Sequence, residues 1–453
     1  MNIRAIPPLS ENKSLRYATF VVLYFSQGIP EGITLFGIPA WLAMNGKSAA
    51  EIAGFSAVTL LPFSFKILLA PIMEKYVYLP MGRRRPWLLF GQLGILCSLV
   101  GLASVPDPLN NLFLVTVMTL SVHLFIMFQD IATDSLVIDI VPLNEQGRAN
   151  SLMWGSKTIG NSLSLFAGSW LINHYGFSSA VLTMSVFVVG ILFVPLLVLE
   201  RKGEKRMPWS EGTVSPEAAF LTVASWSKLF RSFRQVVALR NTVIMLIMVF
   251  ITMGALHFMR TLLPVFTIQE LGWTNVTFSK ITSTSNLAGG IIGMLLGGWI
   301  IQRYGVAVLL KLGYILIAIL SASMGVAISI SPHPFLAYGF IGIFCTLLTL
   351  INIGVLALAM ELCWKRISAL QFTFSMTVFN AGLASGAAFL GYLRSFFGWP
   401  VLFGVFTLLV LLAMMLLRFI QTHRHRSEVE DLEKRYIEIL ESETSLLNKP
   451  GSN

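Results

Sequence analysis

Long apolar stretches separated by polar breaks run the length of the chain: Tyr17–Met44, Ile52–Ile72, Trp87–Ser104, Leu112–Ile138, Ala149–Ile172 and Ala180–Leu199. A long polar interval, Glu200–Arg240, follows. Six more come after it: Asn241–Phe266, Phe278–Ile301, Val306–Ile328, Phe335–Met360, Ser368–Leu393 and Val401–Ile420. About 20 apolar residues suffice for a helix to cross a bilayer. The pattern predicts an all-α membrane protein of about twelve transmembrane helices in two six-helix bundles, over 1–199 and 241–421. Residues 200–240 form the linker between them, and 422–453 form a tail in which Leu432, Tyr436, Ile437 and Leu440 recur at helical spacing.

Composition agrees with burial in lipid. Hydrophobic residues make up 55% of the 453 residues and charged residues 12%, about half the charge of a soluble domain. Met1–Ser14 is polar and is not expected to act as a cleavable signal. Cys97, Cys345 and Cys363 lie in or beside apolar stretches without metal-type spacing, so no disulfide, metal or cofactor is expected.

Charge fixes the expected orientation. Twelve spans put both termini on one side, and 26 of the 32 Lys and Arg residues fall on that side. The other side carries only Lys47, Lys280 and Arg394. The positive-inside rule then makes both termini cytoplasmic, as expected for an inner-membrane protein. The net charge of +10 reflects this topology: the basic residues are spread over many segments, and nucleic acid is not an expected partner. A monomer is expected.

Charges inside spans are costly, at least about 2.5 kcal/mol each on insertion scales, so each is a candidate for function. In the fourth span His123, Asp130 and Asp134 fall within about 20° of one stripe, with Gln129 beside Asp130. They suit a proton or substrate site, or ion pairs with Lys66 or Lys157. Glu31 sits mid-span in Gly28-Ile29-Pro30-Glu31-Gly32, where proline and glycine are expected to loosen the helix. A carboxylate there suits proton coupling, or a pair with Lys66 or Lys157. In the seventh span His257 and Arg260 lie one turn apart beside Thr261. Arginine is the natural fork for a carboxylate or phosphate, and the alternatives are a pair with Glu31 or Asp130, or snorkelling outward past Phe266. Glu31, Asp130 and Asp134 are thus the proton-coupling candidates. Arg260, His257, Lys66, Lys157, Gln129 and His123 are the substrate-binding candidates. Asp139, Glu145 and Arg148 read as gate or loop contacts.

Weak echoes join the halves. Leu171-Ile172-Asn173-His174-Tyr175-Gly176-Phe177 ends the fifth span and Leu393-Arg394-Ser395-Phe396-Phe397-Gly398-Trp399 the eleventh. Basic turns, Gly82-Arg83-Arg84-Arg85 and Gln302-Arg303-Tyr304-Gly305, follow the second and eighth spans. Gly289-x3-Gly293-x3-Gly297 and Gly382-x3-Gly386 are expected to let helices pack closely. The six-plus-six pattern with matched basic turns resembles the major facilitator superfamily and implies its pseudo-symmetric fold. That family's loop motif is kept in part: Glu74 stands where its aspartate would be, and Gln302 replaces the acid in the second half. With Arg83, Arg84 and Arg85, Glu74 makes up the expected gating loop.

Gln129-Asp130-Ile131-Ala132-Thr133-Asp134 resembles the signature shared by AmpG muropeptide permeases and acetyl-CoA transporters. Tyr24–Pro30, Phe65–Pro71 and Gly82–Leu89 fit the same group. The resemblance implies movement of bulky anionic solutes with protons, with Asp130 and Lys66 at signature positions. The lysine and aspartate that this resemblance would place early in span seven are absent; Met253–Arg260 reads MGALHFMR.

The expected function is secondary, proton-coupled transport of a small-to-medium anionic solute, with the solute, protons and the lipid bilayer as partners. A polytopic membrane enzyme is the alternative, but no metal box, nucleophile elbow or catalytic cluster at one interface supports it. A sensor on a transporter fold would need an output domain larger than this tail, and no phosphate-binding loop of the ATP-driven kind is present.

Overall fold

The computed structural model describes residues 6–223, 225–330 and 333–447, so the ends of the expected first bundle and tail, with Arg4 and Lys449, lie outside the described residues. Among the described residues the elements are helical. The first half holds α1 (Lys13–Gly32), α2 (Ile38–Met44), α3 (Ala49–Lys75), α4 (Arg85–Ala103), α5 (Leu112–Ile140), α6 (Leu143–Tyr175) and α7 (Phe177–Leu197). The linker carries α8 (Pro216–Phe220) and α9 (Trp226–Val237). The second half holds α10 (Arg240–Gln269), α11 (Asn275–Ile292), α12 (Gly298–Tyr304), α13 (Val306–Ile330), α14 (Pro334–Glu361), α15 (Ser368–Arg394) and α16 (Trp399–Leu417), and the tail forms α17 (Thr422–Leu447). α1 and α2 make one rod through a π turn at Ile33–Gly37, as do α11 and α12 through Gly293–Gly297.

Among the described residues, 11 helices are long and apolar enough to cross a membrane. The expected fifth span, Ala149–Ile172, lies within α6, which has the length at 33 residues but not the apolarity. Its polar positions turn into the protein: Ser164 donates to the Ile29 carbonyl, and Lys157 reaches Glu31. α6 is held by α1, and glycine decides how closely. A Cβ on Gly28 would lie 2.5 Å from the Lys157 carbonyl oxygen, and one on Gly160 would lie 2.6 Å from that of Phe25. The two backbones therefore touch. α1 is not interrupted at Pro30 but widens just beyond it into the π turn at Ile33–Gly37, and Gly28 and Gly32 also make room for the crossing.

The other glycine runs also sit at crossings. A Cβ on Gly293 would lie 2.7 Å from Thr349 of α14, and one on Gly382 would lie 2.6 Å from the Phe250 carbonyl of α10. The linker was expected to be polar, yet Glu200, Arg201 and Glu204 are buried and α9 buries its own Leu229 and Val236. Leu9 and Ser10 donate backbone N–H groups to the carbonyls of Leu199 and Glu200, while Glu433 of α17 pairs with Arg366. The N-terminal segment, linker and tail thus share one end of the bundle, the terminus-bearing face.

Candidate functional site

The hydrogen bonds that join the two halves lie toward the terminus-bearing face. Four buried side chains dominate. Arg83 Nη1 donates to Asp139 Oδ2 at 3.0 Å and to the Lys365 carbonyl at 2.9 Å, and its other nitrogen reaches Glu74 and the Arg366 carbonyl. Arg84 donates to Asp139 and Glu74, and at 3.0 Å to the Ser368 hydroxyl. Ser368 in turn donates to Asp139 Oδ1 at 2.7 Å, and the Ala369 N–H donates to Glu74 Oε2 at 3.0 Å. Ser368 and Ala369 open α15, so Glu74 of α3 supplies a negative group to that helix's unsatisfied N-terminal amides. Arg85 points elsewhere, donating to the carbonyls of Pro195, Leu196, Lys205 and Arg206, and so ties α7 to the linker. Glu200 accepts from the backbone N–H groups of Arg83, Arg84 and Arg85 and fixes the turn.

A second seam closes the opposite flank. Arg148 Nη1 donates to Gln302 Oε1 at 2.8 Å, Asn150 to the Ile353 carbonyl at 2.9 Å, and Ser151 to the Met294 carbonyl at 2.9 Å. Glu145 instead pairs with Lys13 and Arg16 within the first half.

Between these seams the halves part around a cavity of about 280 Å³. The first half contributes Tyr24, Lys66, Asp130, Asp134, Trp154 and Lys157. Lys66 pairs with Asp130, lies 3.6 Å from Asp134 Oδ2, and Tyr24 donates its hydroxyl to Asp134. Lys157 Nζ lies 2.8 Å from Glu31 Oε1 and stands over the Trp154 ring. The open alternatives in the sequence thus resolve into two sets: Asp130 and Asp134 with Lys66, and Glu31 with Lys157. Glu31 itself is buried at the α1–α6 crossing, behind its lysine.

The second half contributes His257, Arg260, Asn352, Phe379 and Asn380 among others. His257 Nδ1 donates to the Leu383 carbonyl at 2.7 Å, and among the described residues its Nε2 has no hydrogen-bond partner. Arg260 is exposed on the cavity wall, and among the described residues it has no ion-pair or hydrogen-bond partner; neither Glu31 nor Asp130 reaches it.

Two candidates are placed away from the cavity. Gln129 is fully buried and donates to the Leu23 carbonyl, pinning α5 to α1. His123 is also fully buried: Nδ1 donates to the Thr59 carbonyl and Nε2 meets the Thr34 hydroxyl. Sequence reasoning passed over Tyr24, Trp154, Asn352 and Asn380 as site residues. The asparagines carried a readable signal, as uncharged amides inside otherwise apolar stretches of α14 and α15. Among the described residues no group of three or more His, Cys, Asp or Glu side chains is placed to hold a metal ion.

The profile of the Major Facilitator Superfamily matches residues 20–387. The Anhydromuropeptide permease of Escherichia coli K12 is 24% identical over 394 residues, covering 86% of this chain and 76% of the relative. The Putative transporter AmpG 1 of Rickettsia felis is 23% identical over 418 residues, covering 84% and 92%. Among solved structures, the transporter FucP in the outward conformation aligns with a TM-score of 0.66 at 14% identity, over 90% of this chain and 98% of its own. The human organic anion transporter MFSD10 aligns with a TM-score of 0.60 at 12% identity, over 91% and 100%. The last two likenesses concern the fold.

Proposed function

The chain belongs to the major facilitator superfamily, and from that premise we propose a proton-coupled secondary transporter that moves a small-to-medium anionic solute across the inner membrane by alternating access. Arg260 carries the reading. It is a permanently charged fork facing a cavity whose other charged side chains are paired, so an incoming carboxylate or phosphate supplies its missing partner. Asn352, Asn380 and His257 Nε2 lie on the same wall and offer polar contacts to the rest of the solute.

The proton route runs through the carboxylates that meet lysines. Protonating Asp130 removes the nearer of the two carboxylates that hold Lys66, leaving Asp134 at 3.6 Å, and protonating Glu31 releases Lys157, so each lysine becomes more available as a second cation for the solute. Loading thus follows protonation. The closed seams at Glu74–Ala369 and Arg148–Gln302 fit a state open to the far side, with both termini cytoplasmic; opening them while the outer ends meet gives the other state.

The experiment is uptake into sealed vesicles with and without an imposed pH gradient, against anionic sugars, peptides and acyl thioesters. The name of the Escherichia coli relative adds an anhydromuropeptide to the panel, although span seven departs at Met253–Arg260. Accumulation of a neutral analogue as strong as that of the anion, or accumulation indifferent to the gradient, would overturn the reading.

A further inference from the structure

The linker helix α9 has the sequence WSKLFRSFRQVV and packs three ways around its axis. Leu229, Ser232 and Val236 recur at helical spacing and are buried against the bundle. Trp226 and Phe230, one turn apart, are 37% and 51% exposed. At about 100° per residue, Phe233 and Val237 fall on the same flank as these two rings. Arg234, Arg231, Lys228 and Gln235 occupy the remaining arc.

Neighbours fix its depth. Trp226 meets Tyr76 edge-on, with centroids 6.1 Å apart, and Tyr76 directly follows the end of α3. Phe233 meets Phe374 of α15 at 5.3 Å. Tyr76 and Tyr78, in the turn that follows α3, are both exposed, so aromatic rings form a belt beside α9 at the terminus-bearing end. Arg231 and Arg234 enter no ion pair or hydrogen bond among the described residues.

We infer that α9 is an interfacial helix seated in the anionic inner leaflet, with Trp226 and Phe230 among acyl chains and Arg231 and Arg234 on lipid phosphates. An apolar flank beside a basic flank, lying flat at a membrane boundary, is the arrangement that binds an acidic lipid surface. A protein partner would have to approach where the belt already places hydrocarbon. The inference rests on the membrane reading of the fold and is independent of the transported solute.

The test uses the purified full chain. Thermal unfolding is followed in detergent with added phosphatidylglycerol or phosphatidylcholine, for the wild type and for the double variant Arg231→Gln/Arg234→Gln. The wild type should unfold about 3 °C higher with the anionic lipid than with the zwitterionic one, and the double variant should lose that difference. The Arg231→Lys/Arg234→Lys variant should keep most of it, because the surface attraction follows charge. An undiminished difference in the glutamine variant overturns the proposal, as does inorganic phosphate reproducing the gain, which would mark a free-anion site. Independently, a spin label on Phe230→Cys in a Cys97→Ser background, reconstituted in liposomes, should collide with oxygen and be shielded from a water-soluble nickel chelate. Exposure to the chelate overturns the lipid seat and leaves the flank as a docking face for protein.

Discussion

Glu74 Oε2 accepts the backbone N–H of Ala369 at 3.0 Å, so a carboxylate from one half of the molecule caps a helix of the other. The same carboxylate holds Arg83 and Arg84, both fully buried. Glu74→Gln keeps an acceptor but removes the charge, leaving Asp139 alone against two guanidiniums. Breaking a buried charge network of this kind costs about 3–5 kcal/mol. The expected outcome is a gate that no longer holds shut: a cysteine on the terminus-bearing side of the cavity should label several-fold faster in the variant. Unchanged labelling would mean that the seam at Arg148 and Gln302 suffices.

Arg260→Lys keeps the charge on the cavity wall and loses the planar fork. Solute affinity should fall about tenfold, and the unfolding midpoint should move by less than about 1 °C, because Arg260 supports no neighbour. Binding to the purified protein and a thermal melt give both numbers. An unchanged affinity would make Arg260 an anchor.

Glu31→Gln and Asp130→Asn should each abolish accumulation against a gradient while leaving exchange of solute across the membrane. The comparison is made per folded molecule, since Glu31→Gln leaves the buried Lys157 without its carboxylate and Asp130→Asn leaves Lys66 only the more distant Asp134, so yield should drop. Gradient-driven uptake that survives per folded molecule would assign both carboxylates to structure alone.

Gly28→Ala should be more disruptive than its single methyl suggests. The new Cβ would sit 2.5 Å from a backbone oxygen, which cannot rotate away as a side chain can. Overpacking costs about 1–3 kcal/mol or more, so the unfolding midpoint should fall by several degrees. A melt unchanged within error would refute the backbone-to-backbone crossing of α1 and α6.

In the linker, burial and then the neighbouring charge of Glu200 push Glu204 up to about 8. The folded chain therefore favours the protonated form. Its contribution is fully present below the unfolded value of 4.5 and is lost as pH rises toward about 8. Glu204→Gln should match the wild type near pH 4 and unfold about 2–3 °C higher near pH 9. Identical melting curves at both values would place Glu204 in water.

The helices, their approximate ends and the grouping of charge were legible because lipid crossing imposes a length and an apolarity on each segment. Partners were not, because a stripe on one helix does not say which neighbour it meets. His123 shares its stripe with Asp130 and Asp134, yet it faces Thr34 and Thr59 in a closed seam while the aspartates reach the cavity. Gln129, next to Asp130 in sequence, points a quarter-turn away into α1. The packing role of Gly28 and Gly32 was hidden for the same reason: glycine beside proline reads as a loosened helix, and the close crossing shows only once the neighbouring helix is known. α9 was overlooked because its basic residues masked the apolar spacing of Leu229, Phe233 and Val236.

The polarity of α6 has a consequence for how the protein is made. A helix leaving the translocon partitions into lipid by its own apolarity, and a lysine near its centre costs about 2.5–3.5 kcal/mol. α6 carries Lys157 there, with Asn161 and Ser164 within two turns. Its partner α1 is synthesised first, so Glu31 and the Gly28 cleft already stand in the membrane when α6 emerges. Integration is therefore expected to be sequential, the first helix assisting one whose own apolarity falls short of that of the other spans. A chain lacking Glu31 loses that assistance, and some copies should leave α6 outside the bilayer with α7 inverted, a topological error fixed during translation.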